Sequence, residues 1–196
     1  MSTAVDKPPR RSRTSSGEMR KRILDAAARI FSRAGYDAVG MREIAAAADT
    51  DPAIVMRLFG SKAGLFSEVA AARFGSEDVF DGPLATLGAR LAGHLMLPYS
   101  RAREDGEPDD FRFLLRSATS LDAAPILSAA LQTALVQPLG RRIGSPDGEV
   151  RAALVVAQVL GFATLRFALG SPPIEEADVA VTTDRLARLI QLCIDG

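Results

Sequence analysis

The sequence contains few of the residues that build covalent cross-links and metal sites. Among its 196 residues it has one cysteine, Cys193, one histidine, His94, and no tryptophan. A single cysteine excludes an intrachain disulfide and every zinc site that needs two or four thiolates. A single histidine excludes a site built on paired histidines within one chain. We therefore expect no disulfide, no metal and no cofactor, which suits a reducing cytoplasm.

Long apolar runs are missing as well. The longest uncharged apolar run lies between Arg151 and Arg166 and is shorter than the roughly 20 residues that a membrane helix needs. The first residues include basic side chains, but no apolar segment follows them, so they do not have the pattern of a secretory signal. We expect a cytoplasmic protein without a membrane span.

Positive and negative charges are balanced in number but not in position. Residues 1–74 carry 13 Lys or Arg against 8 Asp or Glu, whereas residues 75–196 carry 11 against 16. The basic part is the part that suits an anionic partner. Residues 1–14 are rich in Pro, Ser and Arg and lack an apolar period, which predicts a disordered basic arm. That arm is either a solvated tail or a segment that contacts the anionic partner.

Apolar residues in the rest of the chain recur at helical spacing, and no strand pattern is found. This predicts an all-α fold of about nine helices. Ser15 and Glu18 have capping-box spacing at the start of the first helix, and Gly35 is suited to end it. Asp51 can cap a third helix that begins at Pro52, and Ser61 can cap the fourth. The first three short helices have the outline of a helix-turn-helix.

The stretch that begins ILDAA and continues through RAGYDA, MREIAAAA and RLFGSKAGLF resembles the DNA-binding domain of the TetR family of regulators. The resemblance implies a three-helix DNA-binding domain at 15–76 and a larger helical ligand-binding and dimerisation domain at 77–196. It also implies the function: a repressor, not an enzyme, that binds a palindromic operator as a homodimer. A small apolar or aromatic effector would release it from DNA.

The same resemblance assigns the recognition helix to residues 52–59. Asp51, Ala53, Ile54 and Arg57 would then face the major groove, while Arg42 and Lys62 would meet phosphates. The predicted DNA-binding set is Arg42, Thr50, Asp51, Pro52, Ala53, Ile54, Met56, Arg57 and Lys62. Without the motif, Arg57 would be better explained as a solvated helix charge and Lys62 as a helix-start cation with no partner; with the motif, the DNA contacts are the better explanation.

The chain departs from the family pattern at the turn and on the recognition helix. Asp49 takes the place of a glycine and must adopt a left-handed backbone, which aspartate tolerates better than most residues. Met56 replaces a phosphate-binding aromatic and cannot donate a hydrogen bond, and Leu58 replaces a histidine. Asp49 and Asp51 also repel phosphate. The alternative function is therefore a helical small-molecule-binding protein whose DNA-reading surface has decayed.

Aromatic and sulfur-containing side chains lie on the helices that line the effector cavity in the family. The predicted pocket residues are His94, Met96, Tyr99, Phe111, Phe113 and Phe162. Core packing is the alternative explanation for each of them, and His94 is more plausible as a packed or pocket-lining side chain than as a metal ligand.

Small residues form a stripe along the eighth predicted helix, EVRAALVVAQVLGFATLRFALG, which is apolar on nearly all sides. Such a stripe lets another helix approach closely, so we expect a homodimer formed by the eighth and ninth helices. The predicted dimer residues are Ala153, Ala157, Gly161, Thr164, Ala168, Leu186, Leu189 and Ile190.

Overall fold

A computed structural model describes residues 16–75, 80–97 and 110–196 of the chain, and these ranges contain helices and no strand. The N-terminal helices are α1 (Ser16–Ala34), α2 (Met41–Ala47), α3 (Pro52–Phe59) and α4 (Lys62–Phe74). They are followed by α5 (Leu87–Met96), α6 (Asp110–Ser117), α7 (Ala123–Leu131), α8 (Gln137–Ile143), α9 (Gly148–Ala163), α10 (Pro172–Glu175) and α11 (Val179–Asp195). The predicted all-α class is confirmed. The predicted arm, Ser15 of the capping box and Tyr99 of the predicted pocket lie outside the described residues.

The described ranges contain more helical segments than the nine expected because one predicted helix is interrupted and one short helix was missed. The interruption is a π turn, Gln132–Val136, which separates α7 from α8. It immediately precedes Pro138 near the start of α8. Proline has no N–H to donate to the preceding turn, and a wider turn accommodates the missing hydrogen bond. The missed segment is the single turn α10, which begins with two prolines.

One core cluster joins the four N-terminal helices to α6 and α7. Phe31 of α1, Phe66 of α4 and Phe113 of α6 are fully buried in it. The Phe66 and Phe113 rings stack with centroids 4.8 Å apart, and Phe31 meets Phe66 edge-on at 5.0 Å. Phe113 was predicted to line a pocket, and this is wrong: it is a core residue. Phe111 and Phe113 are two residues apart, so they point to different faces of α6.

A second core cluster is formed by α5, α8, α9 and α11. Gly88 of α5 permits the close approach of α11, because a Cβ atom on Gly88 would lie 2.4 Å from the Ala187 carbonyl oxygen. Leu186 and Ile190 of α11 are buried in this cluster. Both were predicted to lie in the dimer interface, and the structure corrects this, because side chains buried within the protomer cannot form its outer surface.

The longest apolar helical segment among the described residues is α9 with the π turn Thr164–Ala168 that continues it. Gly148–Ala168 is the one span among the described residues that is long and apolar enough to cross a membrane, with a mean hydropathy of 1.5 in its best window. No such span was expected from the sequence, because the uncharged run between Arg151 and Arg166 is shorter than a membrane helix. Only 22% of the window is buried within the protomer, so most of this apolar surface has no covering from the described residues.

Candidate DNA interface

The turn between α2 and α3 is built on Asp49. Its φ of 48° makes it the one described non-glycine residue with a left-handed backbone, which confirms the conformation expected from the sequence. The Asp49 N–H donates to the Ala46 carbonyl at 3.1 Å, and the Thr50 N–H donates to the Ala45 carbonyl at 2.9 Å. These two bonds form the Schellman motif that commonly ends a helix, with aspartate in the position usually held by glycine. The helix-turn-helix geometry is therefore retained without a glycine.

Helix α3 begins with the cap that the sequence predicts. The Asp51 carboxylate accepts a hydrogen bond from the Ala53 N–H at 2.7 Å, and Pro52 occupies the first turn. The helix buries Val55 and Phe59 in the first core cluster. Its exposed side is formed by Asp51, Pro52, Ala53, Met56 and Arg57. Ile54, which was expected among the exposed positions, is half-buried and packs against the core cluster.

Two cations of this surface have no partner within the part of the chain that the structure describes. Arg42 on α2 and Arg57 on α3 are exposed, and neither makes a hydrogen bond or ion pair among the described residues. Thr50, in the turn between these helices, is half-buried, and its Oγ1 has no hydrogen-bond partner in the described structure. The two guanidinium groups are therefore available to an anionic ligand.

Lys62 at the start of α4 is placed by an aromatic ring. Its Nζ lies 4.2 Å from the centroid of the Tyr36 ring, a cation–π geometry. Burial raises the pKa of the Tyr36 hydroxyl, and the carboxylates of Asp122 and Asp37 raise it further, so the ring stays uncharged. Ser61 caps α4 as predicted, since its Oγ accepts from the Gly64 N–H at 3.0 Å. Lys62 is therefore half-buried and oriented, rather than a freely solvated helix-start cation.

Arg22 of α1 holds the turn that precedes α3. Its Nη2 donates to the Ala48 carbonyl at 2.6 Å and lies 3.4 Å from the Asp49 carbonyl oxygen. The same atom is 3.6 Å from the Asp49 carboxylate. One of the two acids expected to repel phosphate is thus paired, while the other, Asp51, is used as a helix cap.

Arg20, two residues earlier on α1, holds the opposite end of α3. Its Nη1 donates to the Leu58 carbonyl at 3.2 Å, and its guanidinium carbon lies 4.6 Å from the centroid of the Phe59 ring. Its Nη2 also donates to the carboxylate of Glu68 on α4. Arg20 and Arg22 were not predicted from the sequence, because a short basic run near the start of a helix carries no local signal for partners 26 to 48 residues away.

A cavity of about 330 Å³ lies between α6 and the π turn that follows α9. Its lining residues are Phe111, Arg112, Leu115, Arg116, Phe167 and Ala168. The rings of Phe111 and Phe167 meet edge-on with centroids 6.3 Å apart. Of the predicted pocket residues that the structure describes, Phe111 alone lines this cavity. The cavity combines aromatic walls with two guanidinium groups.

The other described members of the predicted pocket lie elsewhere. His94 is exposed on α5, so the structure supports neither a packed nor a pocket-lining role for it. Phe162 is half-buried against the second core cluster. Met96 is half-buried near the end of α5, where its carbonyl accepts a hydrogen bond from Arg166 at 3.2 Å.

The predicted small-residue stripe is mostly exposed on α9. Ala153, Ala157, Gly161 and Ala168 are exposed, and a Cβ atom on Gly161 would meet no atom within 4 Å. Thr164 is half-buried, and its hydroxyl donates to the Leu160 carbonyl at 2.7 Å. Large apolar side chains are exposed near this stripe and on α11. They are Val150 and Leu154 on α9, Leu165 and Leu169 beyond its end, and Leu189 and Leu192 on α11.

Two family models match the chain. The model described as bacterial regulatory proteins of the tetR family matches residues 23–69, and the model described as the tetracyclin repressor-like C-terminal domain matches residues 85–194. The HTH-type transcriptional repressor KstR of Mycobacterium tuberculosis is 40% identical over 72 residues. That match covers 37% of this chain and 33% of KstR, so it spans about a third of the length of that relative.

Solved structures of regulators have the same fold. A TetR-family regulator from Streptomyces coelicolor superposes with a TM-score of 0.60 at 23% identity, covering 95% of this chain and 100% of that one. The multidrug binding protein EbrR, solved in complex with ethidium, gives a TM-score of 0.57 at 22% identity over 88% of this chain and 99% of EbrR. At these identities the likeness shows the fold and no more.

Proposed function

Because the chain belongs to the TetR family of bacterial regulatory proteins, we propose that it is a transcriptional repressor that binds a palindromic operator as a homodimer. Regulators of this family bind DNA and are not enzymes. We further propose that the operator is palindromic and that a small-molecule effector releases the protein from DNA. Each of these proposals rests on a separate feature of the structure. Its place of action is the cytoplasm.

The observation that carries the proposal is the state of α3. This helix is capped by Asp51, anchored at both ends by α1, and presents Arg57 exposed and without an intramolecular partner among the described residues. Because the helix that carries it is fixed and the guanidinium itself is exposed, Arg57 suits bidentate contact with guanine or phosphate. Arg42 and the oriented Lys62 then supply phosphate contacts. Such contacts fix the position of the protein along the duplex but do not distinguish one base sequence from another.

The exposed apolar surface of α9 and α11 supports the homodimer. A surface of leucines beside a stripe of alanine and glycine is the kind of helix face that another helix covers closely. A two-fold dimer would present two copies of α3 to successive turns of DNA, about 34–36 Å apart. This spacing is why we propose a palindromic operator.

The cavity beside α6 supports release by a small molecule. Its Phe111 and Phe167 rings suit an aromatic or otherwise apolar effector, and the Arg116 guanidinium favours an effector that also carries an acidic group. On the same helix, Phe113 belongs to the core of the DNA-binding helices. An effector that shifts α6 would therefore change DNA affinity through differential binding to two states, with a coupling of about 1–3 kcal/mol typical of such systems.

The rival is the small-molecule-binding protein with a decayed DNA-reading surface. Met56 supports it, because this exposed side chain cannot donate to a phosphate. The acids give it less support than the sequence suggested, since Asp49 is paired with Arg22 and Asp51 caps α3.

Selection of bound fragments from random duplex DNA, followed by sequencing, separates the two functions. A repressor of the proposed kind should enrich a palindrome whose half-site centres are about one helical turn apart. A protein that enriches no sequence, yet melts at a higher temperature with aromatic acids, is the rival.

A further inference from the structure

The C-terminal end of the recognition helix is held by one side chain that also reaches the helix linking the two halves of the molecule. We propose that Arg20 is a positioning residue for sequence-specific DNA binding, through which Glu68 on α4 sets the orientation of α3. This inference rests on the proposed DNA-binding function. It adds to that function a link, formed by Arg20 and Glu68, that connects α4 to the DNA-reading helix without itself contacting DNA.

The geometry of Arg20 carries the proposal. Its two terminal nitrogens serve different elements, since Nη1 donates to the Leu58 carbonyl of α3 and Nη2 to the Glu68 carboxylate of α4. Its guanidinium plane also lies over the Phe59 ring. A planar guanidinium has donors fixed in a fork, so binding one acceptor restricts where the other can lie. Leu58 belongs to the last turn of α3, where carbonyl groups have no partner within the helix and where a cation is favoured.

Glu68 is the α4 side of this connection. Its neighbours Leu65, Phe66 and Val69 are buried in the first core cluster, so the position of the α4 backbone that carries Glu68 is set by how α4 packs there. The Glu68 side chain itself is 38% exposed and ion-paired with Arg20. A displacement of α4 therefore moves the carboxylate to which Arg20 is bound. Arg20 in turn displaces the Leu58 end of α3.

Helix α3 depends on such end contacts because its own packing is small. It has 8 residues, of which Val55 and Phe59 are buried and Ile54 and Leu58 are half-buried against the core. The hydrophobic effect is non-directional, so the apolar packing of one face of so short a helix defines its rotation and tilt less sharply than directional bonds do. Arg22 fixes the turn at the start of α3 but contacts no residue of α4 among the described residues. Arg20 is thus the arginine of the pair that joins α3 to α4.

Electrostatics alone predicts the opposite effect from positioning, which makes Glu68 the decisive residue. Removal of a negative charge from a DNA-binding surface strengthens binding to every duplex, because phosphate repulsion falls. If Glu68 positions α3 through Arg20, its removal weakens binding to the operator while binding to a scrambled duplex stays the same or improves. The sign of the change on the operator separates the two explanations.

The test measures binding of the full chain to its selected operator and to a scrambled duplex of equal length at several salt concentrations. We expect Glu68→Ala to lower operator affinity about fivefold to tenfold without loss on the scrambled duplex. Glu68→Gln, whose amide oxygen still accepts from Arg20, should retain most of the affinity. Arg20→Met should lose operator affinity like Glu68→Ala, and the double variant should lose no more than the weaker-binding single variant. Arg20→Lys should not restore binding, because one ammonium group cannot reproduce the fork.

Glu43→Ala is the matched control, because Glu43 is an exposed glutamate of the same domain with no partner among the described residues. It should raise affinity for both duplexes. If Glu68→Ala raises operator affinity as Glu43→Ala does, the proposal is overturned. It is also overturned if Arg20→Met weakens both duplexes alike and lowers the salt slope by about one, since Arg20 is then a phosphate contact.

Melting curves identify any variant that does not fold. If Arg20→Met is unfolded, the Glu68→Ala and Glu68→Gln pair decides the matter. A wild-type protein that prefers no duplex contradicts the proposed function itself, whereas failure of this inference alone leaves the wild-type preference for its operator intact.

Discussion

Gly35 lies against the backbone of Arg116: a Cβ atom on Gly35 would come within 2.5 Å of the Arg116 carbonyl oxygen. Gly35 follows the last residue of α1 with a φ of +77°, and Arg116 lies in the last turn of α6. Close by, the Ser120 hydroxyl donates to the Asp37 carboxylate at 2.7 Å. The N-terminal helices and α6 therefore meet backbone to backbone, at a place where a side chain has no room.

The first prediction concerns this contact. Gly35→Ala should lower the free energy of unfolding by about 2 kcal/mol or more, because the new side chain meets both a left-handed backbone and a carbonyl oxygen. Urea denaturation followed by circular dichroism measures it. The control is Gly93→Ala in α5, where a Cβ would meet no atom within 4 Å. That change should stabilise the helix by roughly 0.5–1 kcal/mol, and equal effects of the two substitutions would refute the contact.

The second prediction separates the two kinds of cation at the DNA interface. Arg57→Ala should cost about 1–3 kcal/mol on the operator and much less on a scrambled duplex, because an exposed guanidinium on α3 reads base edges. Lys62→Ala should weaken both duplexes alike and reduce the salt slope by about one, because it removes one phosphate contact. Binding isotherms at several salt concentrations measure both. Identical profiles for the two variants would contradict the assignment of roles.

The third prediction tests the dimer face. Gly161→Leu should weaken dimerisation by roughly 1–3 kcal/mol, because a leucine overpacks a seam built for close helix contact. The fold of the protomer should be unaffected, since nothing lies within 4 Å of the added Cβ. Ala72→Leu, on an exposed position of α4, adds the same side chain away from this face. Sedimentation velocity of both variants decides it, and an unchanged dimer constant for Gly161→Leu places the interface elsewhere.

The fourth prediction concerns the chemistry of the effector. Naphthoic acid should raise the melting temperature more than naphthylmethanol, because its carboxylate can pair with Arg116 while both compounds offer the same ring. Arg116→Gln should remove the difference between the two compounds. Ala168→Trp should fill the cavity and abolish both shifts. Equal shifts in the wild type would remove the acidic group from the proposal, and shifts that survive Ala168→Trp would place the site outside this cavity.

Local chemistry made the DNA-binding half predictable from the sequence. Asp51 and Ser61 could be assigned as caps, Gly35 as a helix terminator and Asp49 as a left-handed residue, because each feature depends on residues within a few positions. The family resemblance then identified the helix that these caps begin.

Contacts between distant helices could not be predicted in the same way. Periodicity shows that α11 has an apolar face, but not that Leu186 and Ile190 are covered by α5 while Leu189 remains exposed. Phe113 is different, since a signal existed: residues two apart on a helix diverge, so Phe111 and Phe113 could not share one pocket. The contacts of Arg20 and Arg22 had no signal, because long cationic side chains reach partners set only by tertiary structure.

The shared core of α1–α4, α6 and α7 has a consequence for the order in which the protein matures. On the ribosome the chain emerges from its N-terminus at about 5–20 residues per second. The helix-turn-helix is synthesised early, but Phe113 and Leu127, which complete its core, follow several seconds later. Until then Phe31 and Phe66 lack their final partners. The core beneath the helix-turn-helix therefore stays incomplete until α7 has been made, and we expect a product that ends before α7 to compete poorly for the operator.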